Sequence, residues 1–332
     1  MFDILGVLTL VGLIVLFGFL AARAWRLRNT LLRWVGAVLA GALALIVVGV
    51  LGLALKSYYL LNEQHNVPVA TVTVAGTREQ LARGEQLAHL CINCHSPNGE
   101  LPLAGADFVT RFDMPPMGTL YAPNLTPGGD IDDWTDGEVI RAIREGVHRD
   151  GRSLLIMPSN VGRNFSDEDV QALVAYLRSQ PATGGPTPRN QLNLLGALFL
   201  NLADLRTVQA PVGQVTAPPV EDALAYGRYM VDIIGCRDCH GEQLQGKADN
   251  GQPGPPPGPN LTRIVPGWTE AEFMTFFNTG RMPNGAMVPM EELSSGYATP
   301  RMPWNEVRAS TTDDELKAMY AYLSSLPAVE GP

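Results

Sequence analysis

Cys91-Ile92-Asn93-Cys94-His95 and Cys236-Arg237-Asp238-Cys239-His240 together hold all four cysteines of this 332-residue chain. The two stretches are offset by 145 residues. C-x-x-C-H is the pattern of covalent haem attachment: both thiols form thioethers to the porphyrin, and the adjacent histidine sits beneath it, placed to ligate iron. A zinc site of four thiolates could also join two C-x-x-C pairs, and a lone pair could be a thioredoxin-like redox centre. Neither explains a histidine directly after both pairs, and the second also lacks a βαβ context.

The repetition runs well beyond the cysteines. Ala122-Pro123-Asn124-Leu125-Thr126 is echoed by Gly258-Pro259-Asn260-Leu261-Thr262, and Met157-Pro158 by Met302-Pro303. Trp134-Thr135-Asp136-Gly137-Glu138 is echoed by Trp268-Thr269-Glu270-Ala271-Glu272, each a T-x-x-E box that opens a helix. Two closing helices are predicted from Ser166 and from near Thr312. Their apolar stripes are Val170, Leu173, Val174, Leu177 and Leu316, Met319, Tyr320, Leu323, at the i, i+3, i+4, i+7 spacing of one buried face. Pro181 and Pro327 follow the two helices. The 34 glycines and 26 prolines are well above the usual share of roughly 12%. They suit long loops that wrap a group rather than regular sheets.

Residues 77–181 and 221–332 each resemble a class I cytochrome c domain, and the whole chain resembles the membrane-anchored dihaem c-type cytochromes of bacteria. The resemblance implies an all-α fold: an N-terminal two-helix transmembrane hairpin followed by two tandem class I cytochrome c domains, each wrapping one covalent haem c. It implies that a glycine of each first helix crosses an aromatic residue of the last helix, a role that fits Gly84 with Tyr176, and Gly227 with Tyr322 or Tyr320. It implies that the carbonyls of Pro123 and Pro259 accept the second N–H of His95 and His240.

For the sixth ligand, no histidine follows His240 among the five in the chain (His65, His89, His95, His148 and His240). Methionine is the natural alternative, because thioether coordination raises the potential. The family pattern puts that methionine before a proline, about ten residues ahead of the last helix. Met157 lies nine residues before Ser166, and Met302 ten before Thr312. The metal ligands expected are therefore His95 with Met157 and His240 with Met302. Met282 and Met290 compete for the second iron. Met114 and Met117 read as loop packing, His148 as a solvent-facing turn residue, and His65 and His89 as surface residues.

The front of the chain differs in composition. Ile4 to Ala22 and Val35 to Leu55 contain no charge, and each is long enough to cross the roughly 30 Å hydrocarbon core. Spans of about 4–22 and 33–55 give a hairpin over residues 1–60, with 61–76 as a connector. Arg23, Arg26, Arg28 and Arg33 lie at the turn and place it in the cytoplasm, with Trp25, Trp34, Tyr58 and Tyr59 as interfacial belts. Asp3 is the first charge and the arginines follow the apolar run, the reverse of a cleaved signal peptide. The N-terminus and both haem domains are thus expected outside the cytoplasmic (inner) membrane of a bacterium, in the periplasm. The formal net charge of −9, all of it beyond the basic hairpin, opposes nucleic-acid binding.

Residues 182–220 read as a linker. Its start, 181–190, is a Gly/Pro hinge, and 191–205 is an amphipathic helix with Asn193, Asn201 and Asp204 on one face. That helix could lie on the membrane or on a partner subunit, or pack between the two haem domains. Gly251–Gly258 reads as a loop around the second haem. The function expected is electron relay between a membrane oxidoreductase and a downstream acceptor, without catalysis of its own. Partners would be other subunits of a respiratory or photosynthetic electron-transport complex, or a soluble redox protein. The alternative is a dihaem enzyme such as a cytochrome c peroxidase, which needs one displaceable iron ligand. Met-Pro motifs in both domains oppose it.

Overall fold

The computed structural model describes residues 4–203, 205–249, 256–293 and 298–332. Asp3, Asp204 and most of Gly251–Gly258 lie outside them. Two long apolar helices come first, α1 (Ile4–Ala24) and α2 (Thr30–Asn62), and they pack against each other. Asn29 caps α2, its side chain accepting from Leu32 N at 3.2 Å. Both helices are apolar enough to cross a membrane, and large apolar side chains face outward along them: Leu5 and Leu45 are each 73% exposed. At 1.5 Å per residue, the 33 residues of α2 extend to about 50 Å, beyond the roughly 30 Å that a bilayer core requires. The helix thus continues seven residues past the predicted span, to Asn62.

Each half of the remainder is built on three helices: α3 (Arg78–Ala88), α4 (Asp136–Glu145) and α5 (Asp167–Ser179), then, after α6 (Leu194–Leu202), α7 (Ala223–Ile234), α8 (Glu270–Thr279) and α9 (Asp313–Ser325). The predicted capping boxes form in both copies: Thr135 with Glu138 opens α4, and Thr269 with Glu272 opens α8. Ser166 and Thr312 cap the closing helices. First and last helices cross at glycine in each half. A Cβ on Gly84 would stand 2.0 Å from the Ala172 carbonyl oxygen and 2.7 Å from the Tyr176 Cβ. A Cβ on Gly227 would stand 1.9 Å from the Ala318 oxygen and 2.9 Å from the Tyr322 Cβ. The aromatic partner in the second half is therefore Tyr322; Tyr320 instead donates its hydroxyl to Trp268 O at 2.8 Å.

The fold is mainly helical but, among the described residues, adds three antiparallel strand pairs of two or three residues: Ala106–Asp107 with Tyr121–Ala122, Gly118–Thr119 with Gln191–Leu192, and Met290–Glu292 with Ala298–Pro300. They stitch together the loop insertions in which the two halves differ.

Residues 181–190 do not form a free hinge. Asn124 Nδ2 donates to Thr183 O at 2.7 Å and Gly185 O at 3.1 Å, and Asp130 accepts from Thr187 N and Oγ1, each at 3.0 Å. Further on, Gln209 N donates to Glu145 O and Asp167 N to Val215 O. The connector behind α2 is fastened too: Val74 N donates to Asp136 at 2.9 Å, and Arg206 pairs with Glu63 at 3.1 Å. Side chains grip these segments because a wrapped loop has no ladder of its own to satisfy its backbone. One hydrophobic core, from Leu87 to Leu323, runs through both halves.

Candidate haem sites

Each attachment motif forms a short helix, Ile92–His95 or Cys236–His240. Both histidine rings are buried and held from one side. His95 Nδ1 lies 2.9 Å from Pro123 O, and His240 Nδ1 lies 2.8 Å from Pro259 O. A carbonyl only accepts, so Nδ1 carries the proton and Nε2 keeps its lone pair. Burial also lowers both histidine pKa values, favouring the neutral ring. Gly258 clears the second ring, since a Cβ there would stand 2.7 Å from His240 Cε1.

The cysteines are unpaired, and burial pushes the Cys91 and Cys236 thiols up to about 12 and Cys94 to about 11. Neutral thiols of this kind are not poised for redox exchange or zinc binding, which use thiolate. Among the described residues, no group of three or more His, Cys, Asp or Glu side chains gathers to hold a metal. The two C-x-x-C pairs are thus not joined into a zinc centre. What remains is a thiol pair beside an imidazole with a free lone pair, twice over, which is the donor set that a covalent haem requires.

The two Met-Pro segments share a backbone shape. Pro158 has φ −78 and ψ 62, and Pro303 has φ −75 and ψ 57, both inverse γ-turn values. Met157 O accepts from Ser159 N at 2.8 Å, and Met302 O from Trp304 N at 2.7 Å. Met282 O instead accepts from Gly285 N, three residues on. Met287 and Met290 are 50% and 57% exposed, whereas Met157, Met282 and Met302 pack against the core. Met117 is fully buried. His148 is tied to Asp150 at 2.8 Å and set edge-on to Trp134. His65 departs from the surface reading, because its Nε2 is buried.

The halves meet reciprocally. The helix after Met302-Pro303, Trp304–Ala309, lies on the first attachment motif, where Asn93 Nδ2 donates to Glu306 Oε2 at 2.5 Å. The helix after Met157-Pro158, Ser159–Gly162, lies on the second, where Asn160 Nδ2 donates to Asp238 at 2.9 Å. Between them sits a cluster that sequence reasoning missed. Arg83 bridges Asp169 of its own half, at 2.8 Å, and Glu315 of the other, at 2.6 Å. Tyr229 Oη donates to Asp169 at 2.6 Å and Tyr226 Oη to Glu315 at 3.1 Å. The signal was present in the repeat: Arg83 and Tyr226 both precede the crossing glycine, and Asp169 and Glu315 are both third residues of closing helices.

A profile of the family described as Cytochrome c matches residues 81–181 and 227–327. The chain belongs to the cytochrome c family. This cytochrome binds two haem c groups covalently, one per repeat. It is 31% identical over 277 residues to a nicotinate dehydrogenase subunit of Pseudomonas putida, an alignment that covers 78% of this chain and 22% of that protein. It is 27% identical over 284 residues to the cytochrome c subunit of the quinone alcohol dehydrogenase of Gluconobacter oxydans. It is 26% identical over 284 residues to the fructose dehydrogenase cytochrome subunit of Gluconobacter japonicus. Those two alignments cover 75% and 79% of this chain, and the cytochrome spans about half the length of each, 55%.

Proposed function

We propose that this cytochrome is an electron relay, anchored by α1 and α2 as a transmembrane hairpin, with both haem domains on the outer face of a bacterial cytoplasmic membrane. In this reading His95 and Met157 ligate one iron, and His240 and Met302 the other. The shared inverse γ-turn supports Met302 over Met282, and the exposure of Met290 disfavours it. Arg23, Arg26 and Arg28 at the turn favour a cytoplasmic loop, which places the N-terminus and residues 63–332 outside.

The observation that carries the relay is the reciprocal seating of each attachment motif on the other half's post-methionine helix. The haem supplies one-electron exchange at its iron. The residues around it fix the imidazole (Pro123, Pro259) and hold the two motifs against a common interface. The relatives named as dehydrogenase cytochrome subunits support a donor of that class: a membrane-bound dehydrogenase whose electrons pass through this chain to a downstream acceptor.

Optical and paramagnetic spectroscopy at full, half and zero reduction tests the assignment. Two low-spin haems with the near-infrared methionine–iron band, persisting at half reduction, are expected. A high-spin haem appearing at half reduction would point instead to a peroxidase-type enzyme with a displaced methionine.

A further inference from the structure

Helix α6 is built inside out for a water-soluble protein. Its residues, Leu194 to Leu202, carry no charge, and its polar groups turn toward the protein. Asn193 caps it, accepting from Gly196 N at 3.0 Å, and donates to Pro116 O at 2.6 Å. Asn201 Nδ2 donates to Ser57 Oγ at 2.6 Å and Leu53 O at 3.1 Å, and Ser57 Oγ donates to Ala197 O at 2.5 Å. The side chains that stand outward are Leu195, 46% exposed, and Leu202, 85% exposed, seven residues apart on one face. A helix facing water places its polar side chains outward.

Its position on α2 identifies what covers that face. Val35 to Leu55 is uncharged, about 31 Å of helix, and Lys56 is the first charge after it. The contacts of α6 fall at Leu53 and Ser57, the level where the hydrocarbon of a spanning α2 gives way to headgroups. At the same level α2 exposes Leu53, Leu55, Tyr58 and Tyr59 around its circumference, all 44–63% exposed.

We infer that α6 is an interfacial helix seated in the outer leaflet, with Leu195 and Leu202 in lipid, and that it fixes the height of the first haem domain above the membrane. This inference rests on the reading of α1 and α2 as a membrane anchor. The mount is stiff: Gln191–Leu192 pairs with Gly118–Thr119, and a Cβ on Gly196 would stand 2.3 Å from Met117 O. The loop so gripped leads directly into Pro123, the partner of His95. Among the described residues α6 packs on α2 and on the Met117 loop of the first half.

The test is a spin label on Leu202→Cys or Leu195→Cys in the full-length holoprotein, with Leu39→Cys, exposed within the uncharged span of α2, as reference. The protein is reconstituted in phosphatidylethanolamine–phosphatidylglycerol nanodiscs. Power saturation compares oxygen, which partitions into lipid, with a water-soluble nickel chelate. Oxygen should dominate several-fold at all three positions. Nickel dominating at 195 and 202 but not at 39 would overturn the seating and leave the anchor intact. Exclusion of both probes at 195 and 202 would mean that a protein subunit covers the face, which also overturns it. Nickel dominating at 39 as well would remove the anchor, and this inference with it.

Discussion

At the scale of single residues, the attachment chemistry was legible because thiols and imidazole must be adjacent along the chain to grip one porphyrin. Glu306 was not legible, since its burial depends on a contact 213 residues away. Burial raises its pKa from 4.5 to about 7, against the opposing effects of Asn93 and Arg111. The folded chain therefore holds this proton more tightly than the unfolded chain does. Glu306 favours folding least once it is ionised, so stability should fall as pH rises from about 4.5 through 7, by on the order of 3 kcal/mol from this group. Thermal melts of wild type and Glu306→Gln across that range should converge at low pH and separate above 7, the variant melting higher. The methionines make a second prediction. Met302→Leu should abolish one near-infrared methionine–iron band, whereas Met282→Leu and Met290→Leu should leave both bands in place.

Among elements, the helices that open on T-x-x-E and those that close before proline were readable because caps are local. The insertions between them were less so. What holds residues 181–190 is a set of side chain–backbone bonds from Asn124 and Asp130, about sixty residues upstream, and no local pattern announces them. The glycine crossings lie between these cases: the glycine is visible in sequence, but the choice of Tyr322 over Tyr320 needs the helix's rotation. Gly84→Ala and Gly227→Ala should each force their helix pair apart, because the new Cβ meets a backbone carbonyl at 2.0 or 1.9 Å. Each should cost about 1–3 kcal/mol or more, as overpacking does. Denaturant melts followed at each haem's own absorbance should show the nearer site failing first.

For the molecule as a whole, one arginine between two carboxylates joins the halves alongside the Asn93–Glu306 and Asn160–Asp238 contacts. Arg83→Met would leave Asp169 and Glu315 facing each other without a cation, and loss of one partner from a buried pair costs roughly 3–5 kcal/mol. The variant should melt lower and pass electrons between its haems more slowly. Flash-initiated reduction of one haem, with the other monitored, would check the rate. A variant that melts lower at an unchanged rate would make Arg83 a stabiliser only.

The fastened linker has a kinetic meaning of its own. A cytochrome on a slack tether can swing between a distant donor and acceptor, loading at one and unloading at the other. Here the strap behind α5 is tied to Asn124, Asp130 and Glu145, and the strap behind α2 to Asp136. The two haem sites are therefore held at a fixed spacing, and neither can reach a distant partner by swinging on its strap.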